Sequence, residues 1–283
     1  MIRSSEYWHS CDDSFVRCGL CPHRCLIKEG TAGVCGIREN CGGELIASGY
    51  GQVSSVALDP IEKKPLNMFH PGKFVLSIGG FGCNLCCPFC QNSDISLEFS
   101  RRRHNAQVLS PADIIKLAKE TVPHGNIGVA FTYNEPFVGY EFMFDTAKLV
   151  RDSGLSNIIV TNGHINIEPL EALLPYVDAM NIDLKSFSSA FYSRVGGELD
   201  VVKNTIALSL RHCHVEVTTL VIPGENEDSV EEIAAWLASL DPGIPLHLSR
   251  FFPRHKYAGK APTPRGTMHD LSNRARKHLK HVF

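Results

Sequence analysis

Beyond residue 73 the chain alternates short apolar runs with longer amphipathic stretches. The runs at 74–78, 127–132, 157–161, 179–184, 215–222 and 246–249 are short and rich in apolar residues, and read as strands. Between them, 111–121, 138–152, 168–174, 201–210 and 229–240 carry apolar residues at helical spacing. Ser110 followed by Pro111 supplies an N-cap and a first helical residue, and Gly154 a C-terminal stop. Strand and helix in alternation signal βα units around a parallel sheet. Six such strands predict an α/β fold, a partial (β/α)6 TIM-like barrel.

The chain before this region has a different texture. From 11 to about 71 it is rich in Cys and Gly and lacks long amphipathic patterns, with short extended candidates at 44–47 and 51–57. The expected division is a Cys-rich N-terminal module over 1–71 and a core barrel with a C-terminal extension over 72–283. Within the barrel, unusual residues collect just past the strand ends, at 79–90, 133–136, 162–164, 185 and 223–224. Turn chemistry alone explains any one Gly or Pro among them. Their convergence on the face where α/β barrels build active sites is what points to a site.

Composition narrows the partners. With 283 residues, 43% of them hydrophobic, a substantial core can form. A formal net charge of -2 offers no global basic field for nucleic acid or an anionic membrane, so the expected partner is a small molecule, a peptide or another protein. The first thirteen residues include Arg3, Glu6, His9, Asp12 and Asp13 instead of an apolar leader, and nowhere do about eighteen apolar residues run together. The reading is a cytoplasmic protein. Ten of the eleven cysteines lie between Cys11 and Cys90. Closely spaced thiols in a reducing compartment fit metal or cluster ligation better than disulfides.

The densest group is Cys83-Asn84-Leu85-Cys86-Cys87-Pro88-Phe89-Cys90, reached through Gly79-Gly80-Phe81-Gly82. Its outer spacing is C-x3-C-x2-C. Three thiolates can hold three irons of a cubane and leave the fourth open, whereas electron-transfer clusters usually recruit four cysteines. Taken without context, Cys83 with Cys86 or Cys87 with Cys90 also forms a C-x2-C pair of the zinc-ribbon kind. The run from Gly82 to Leu85 and from Cys87 to Asn92 resembles the signature of the radical S-adenosylmethionine (SAM) superfamily. That resemblance implies a 4Fe-4S cluster on Cys83, Cys87 and Cys90, whose open iron chelates the amino and carboxylate groups of SAM. It implies reductive cleavage of SAM to methionine and a 5'-deoxyadenosyl radical that abstracts hydrogen from a substrate, with an electron donor such as flavodoxin or ferredoxin. Phe89 corresponds to the residue that packs near the adenine. Cys86 stands where related sequences usually carry another residue and is read as a spectator thiol.

Later strand ends extend the resemblance. Thr132-Tyr133-Asn134-Glu135-Pro136 stands where the superfamily usually keeps a Gly-Gly-Glu segment, so Glu135 would receive the methionyl ammonium, with Asn134 as a polar neighbour. An ordinary strand-ending turn is the alternative. Val160-Thr161-Asn162-Gly163-His164 and Asn181-Ile182-Asp183-Leu184-Lys185 resemble segments of glycyl-radical-enzyme activases such as pyruvate formate-lyase activating enzyme, which adds Thr161, Asn162, Asp183 and Lys185 to the cofactor-binding set. Val160 replaces an acidic residue that helps hold a monovalent cation in those relatives. Asp183 and Lys185 share one face of a strand, where an ion pair without a catalytic role is the other reading.

In the N-terminal module, Cys18-x2-Cys21-x3-Cys25-x9-Cys35 has metal-knuckle spacing and could enclose zinc or a second iron-sulfur cluster, or remain a set of reduced buried thiols. Cys11, Cys41 and Cys213 look isolated. This pattern, together with Asp59-Pro60-Ile61-Glu62-Lys63-Lys64-Pro65-Leu66 and the motifs above, is similar to the AmmeMemoRadiSam-system radical SAM proteins over nearly the whole chain. Three functions follow as expectations: direct hydrogen abstraction from an unidentified substrate, activation of a glycyl-radical enzyme, or a non-enzymatic iron-sulfur or zinc protein for electron transfer or assembly.

Overall fold

The computed structural model describes residues 3–283 apart from Asp13, so Met1, Ile2 and Asp13 of the polar N-terminal stretch lie outside the described residues. Its centre is a seven-stranded sheet: β1 (Ser55–Pro60), β2 (Phe74–Gly79), β3 (Asn126–Phe131), β4 (Ser156–Thr161), β5 (Ala179–Asp183), β6 (His214–Val221) and β7 (Leu246–Arg250). The strands lie side by side in chain order, parallel from β2 to β7, so each crossover advances the sheet by one strand. The sheet curls into a half-barrel, as the alternation of strand and helix predicts. β1 is the addition, an antiparallel edge strand whose Ser55 faces Gly79 and whose Pro60 faces Phe74. The sheet therefore continues across the change of composition near residue 71.

Helices α1 (Pro111–Thr121), α2 (Tyr140–Asp152), α3 (Ile167–Leu173), α4 (Ser189–Arg194), α5 (Leu199–Ser209), α6 (Ser229–Leu240) and α7 (Arg265–Ala275) accompany the sheet. The start of α1 is a capping box: Ser110 Oγ accepts from the Asp113 N–H at 3.2 Å, and the Asp113 carboxylate accepts from the Ser110 N–H at 2.8 Å. Ile114, Ala118, Met143, Ala147, Ile206 and Leu237 on the helices pack in one buried core with Leu76, Val129, Ile159, Met180, Val217 and Leu246 on the strands. Helices outside and side chains inside bury most strand positions, and the polar ones among them, such as Asn181 and Glu216, are hydrogen-bonded.

The N-terminal segment forms a three-stranded antiparallel sheet (Trp8–Asp12, Phe15–Cys18, Leu26–Lys28) and a hairpin (Arg38–Cys41 with Glu44–Ala47). Gly42 and Gly43 turn the hairpin at φ +67° and +79°, the left-handed region that a two-residue hairpin loop favours. Downstream, a strap over residues 61–68 closes the bottom of the half-barrel. Asn181 Nδ2 on β5 donates to the Pro65 carbonyl at 2.8 Å, and the Asn67 and Met68 N–H groups donate to Glu216 on β6 at 3.0 and 2.7 Å.

Glu216 is fully buried, and His214 and His247 also bond its carboxylate at 2.9 and 2.6 Å. Burial pushes this carboxyl up, but the bonds from His214, His247 and the two backbone N–H groups outweigh it and hold it down at about 2. Because the folded value lies below the ordinary 4.5, the stabilisation is complete above pH 4.5 and is lost as pH falls towards 2. Glu216→Gln is expected to lower stability at pH 6 by on the order of 2–3 kcal/mol, with the deficit shrinking below pH 4.5. Urea unfolding at pH 6 and pH 3 checks this, and a deficit independent of pH contradicts it.

Candidate active site

The turn after β2 is built around a glycine that no other residue can replace without rearrangement. Gly82 sits at φ +84°, and a Cβ there would stand 2.5 Å from the Cys35 carbonyl oxygen. Asn134 clamps the same turn: its Oδ1 accepts from the Gly80 N–H at 2.8 Å, and its Nδ2 donates to the Phe81 and Gly82 carbonyls at 3.0 and 3.1 Å. Its amide is thus committed to loop architecture.

The turn delivers Cys83, Cys87 and Cys90 to a cavity of about 350 Å³ at the carboxyl ends of β2 to β6. Phe89, Asn134 and Glu135 line the same cavity, as do Thr161, Asn162, Asp183 and Lys185. Cys86 is exposed and absent from the lining; its N–H bonds the Val195 carbonyl at 2.9 Å. All ten residues of the expected cluster and cofactor set are therefore gathered in one place, with the fourth cysteine of the loop outside it.

Burial pushes the Cys87 thiol up to about 11, and it raises Cys83 and Cys90 as well. Lys185 pulls all three the other way. Cys83 Sγ accepts from the Leu85 N–H at 3.4 Å and from Asn162 Nδ2 at 3.6 Å, both suited to a sulfur carrying negative charge. Lys185 Nζ bonds Asp183 at 2.8 Å, and this carboxylate outweighs burial to favour the ammonium.

Glu135, only 3% exposed, accepts from Thr161 Oγ1 at 2.7 Å and from the N–H groups of Asn162 and Phe137 at 2.8 and 3.0 Å. Burial pushes its carboxyl up to about 7, with those donors and Lys185 opposing the rise. Three donors leave about one of its four acceptor positions. Phe89 forms an apolar wall, its ring centroid 6.0 Å from both Phe191 and Tyr257.

Sequence reasoning gave no role in the site to Lys63, Lys64, Tyr133 or Ser249, which also line the cavity. The available signal was the pair of lysines between Pro60 and Pro65, whose route beneath the sheet no periodicity reveals.

A second cavity of about 20 Å³ is lined by Cys18, Cys21, Cys25 and Cys35 together. Burial pushes Cys21 up to about 12 and Cys35 to about 11. Arg38, 1% exposed, lines this cavity too, and among the described residues its Nε has no hydrogen-bond partner. Among the described residues, no three Cys, His, Asp or Glu side chains converge on a single metal-ion position. His23 Nε2 lies 2.7 Å from the Asn84 carbonyl oxygen, tying this module to the cysteine turn. Cys11 and Cys41 are exposed, and Cys213 donates to the Ser209 carbonyl; none of the three lines either cavity. A wider groove of about 810 Å³ runs outside the barrel beside α3 and α5, and of the expected site residues only Cys18 reaches it. Among the described residues no helix is long and apolar enough to cross a membrane.

A sequence model of the radical SAM superfamily matches residues 77–237. "Uncharacterized protein MJ0808" of Methanocaldococcus jannaschii is 40% identical over 100% of this chain and 84% of its own length. The pyruvate formate-lyase-activating enzyme of Clostridium pasteurianum is 26% identical over 51% of this chain and 63% of its own. The crystal structure of QueE from Escherichia coli shares the fold at a TM-score of 0.53 and 14% identity, covering 82% of this chain and 92% of that one.

Proposed function

We infer, since this chain belongs to the radical SAM superfamily, that Cys83, Cys87 and Cys90 hold a 4Fe-4S cluster with one open iron, and that the protein cleaves SAM reductively to begin hydrogen abstraction from a substrate. The observation that carries this reading is the gathering of three thiols and a buried carboxylate in one cavity that excludes Cys86. The donor set fits the group: three sulfurs at adjacent turns, two N–H donors aimed at Cys83, and a lysine nearby to moderate the negative charge. When bound, cluster and SAM supply the electron transfer that opens the sulfonium.

The chain's own residues prepare the place for it. Thr161, Asn162 and the Phe137 N–H orient Glu135 so that its remaining acceptor position can take an ammonium. Asn134 fixes the turn that carries Cys83, while Phe89, Phe191 and Tyr257 form an apolar side that limits water. Asp183 keeps Lys185 charged at the cavity wall. The electron comes from a low-potential donor such as flavodoxin or ferredoxin in a reducing compartment. A second reading, activation of a glycyl-radical enzyme, is favoured by the likeness to the Clostridium pasteurianum activating enzyme.

The four N-terminal thiols that line one small cavity support a further centre, zinc or a second cluster, and Arg38 Nε, without a partner among the described residues, is a donor suited to a metal-bound thiolate. Anaerobically reconstituted protein with dithionite and SAM is expected to yield 5'-deoxyadenosine, and the same preparation to lose one class of bound metal in Cys21→Ser. No 5'-deoxyadenosine at all would leave only the non-enzymatic electron-transfer or assembly reading. Unchanged iron and zinc in Cys21→Ser would remove the second centre.

A further inference from the structure

The floor of the active-site cavity sets two ammonium groups against one carboxylate. Asp59 accepts from Lys64 Nζ at 2.9 Å, Lys63 Nζ at 3.4 Å and Tyr133 Oη at 2.5 Å. Lys64 is 2% exposed and its ammonium lies 4.5 Å over the Tyr133 ring. Among the described residues Asp59 is its sole hydrogen-bond acceptor, although an ammonium carries three donors. A buried cation with unused donors is unfavourable unless a ligand completes it. Burial accordingly pulls the Lys64 pKa down despite Asp59.

The constellation is built rather than incidental. Tyr133 stands at φ +72°, a strained conformation for a residue with a side chain. Gly79 makes room for its ring, since a Cβ there would stand 2.9 Å from Cδ2, and Asn92 Nδ2 holds its carbonyl at 2.7 Å. The strap carrying both lysines is pinned from below by Asn181 and Glu216. Elsewhere in the cavity, Lys185 is already neutralised by Asp183.

We propose that this floor receives the anionic group of the substrate, a carboxylate or a phosphate, with Lys64 as principal contact and Lys63 as the second. The substrate is then a small anionic molecule and not the glycine loop of a partner protein. A glycyl backbone brings no charge to compensate the surplus cation. The cavity of about 350 Å³ is shared with the cofactor, a size suited to a small molecule beside it. The proposal rests on the reading of this cavity as the active site.

The test is calorimetric titration of the reconstituted full-length protein, saturated with SAM but without reductant, using inorganic phosphate and succinate as separate probes. One of them is expected to bind, which identifies the anion class. Its affinity is expected to fall at least about tenfold in Lys64→Gln and about threefold in Lys63→Gln, and to stay unchanged in Lys148→Gln, whose ammonium lies over Phe144 outside the cavity. Should Lys64→Gln fail to fold, the exposed Lys63 decides. Absence of binding by both probes, or affinities that neither substitution moves, overturns the proposal. Formation of 5'-deoxyadenosine by the unsubstituted protein is scored separately, so failure of the SAM reading and failure of the anion site are told apart.

Discussion

Replacing Cys83, Cys87 or Cys90 with Ala is expected to abolish 5'-deoxyadenosine formation, a loss of at least about 100-fold, whereas Cys86→Ala keeps it within about twofold. Three of these thiols line the cavity and the fourth does not. Cys86 is exposed, and its sulfur lies beside Gly196, where a Cβ would meet it at 3.3 Å. A cluster left with two sulfurs loses a corner iron or binds the chain too weakly to persist. Product assay and iron content, measured together, separate a lost cluster from a misplaced one. Loss of product in Cys86→Ala alone would reverse the ligand assignment, since the C-x2-C pair from Cys83 to Cys86 would then be the functional one.

Spacing alone left two C-x2-C pairs open in this loop, and the contrast between its cysteines was an expectation of the resemblance to the superfamily signature, placed on a short, locally determined turn after a buried strand. Glu135, Thr161 and Asn162 likewise came from the resemblance, and each stands just past or at the end of its own strand. What local patterning could not show is pairing over long separations. β1 contains Asp59 and Pro60 and has a mixed surface, so nothing in it signals a seat at the edge of the main sheet. α7 buries only Leu271 and Ala275, too little for a visible apolar stripe. α4 is six residues long, below the length at which periodicity is informative. Nothing local in the sequence marks Arg38 or Lys64 as buried, because their partners, Glu141 and Asp59, are set by the tertiary fold.

Breaking the Arg38–Glu141 pair is the substitution expected to damage the fold most. Arg38 Nη1 donates to both Glu141 oxygens at 2.9 Å, its Nη2 donates to the Glu6 carbonyl at 2.6 Å, and the Glu6 N–H donates to Glu141 at 2.7 Å. Both side chains are essentially inaccessible. Burial disfavours the guanidinium, and the Glu141 carboxylate more than restores it. Either Arg38→Met or Glu141→Leu alone strands one charge without its partner, at a cost of about 3–5 kcal/mol. The double substitution removes both charges and is expected to cost clearly less than the sum of the two, a coupling that urea unfolding of all four proteins measures. Additive losses would mean that the pair acts through separate contacts. Because Arg38 also lines the four-thiol cavity, Arg38→Met is further expected to lower metal retention there, while Glu141→Leu, which leaves Nε in place, lowers it less. The pair thus joins α2 of the barrel to the cysteine module, so that the stability of both depends on it.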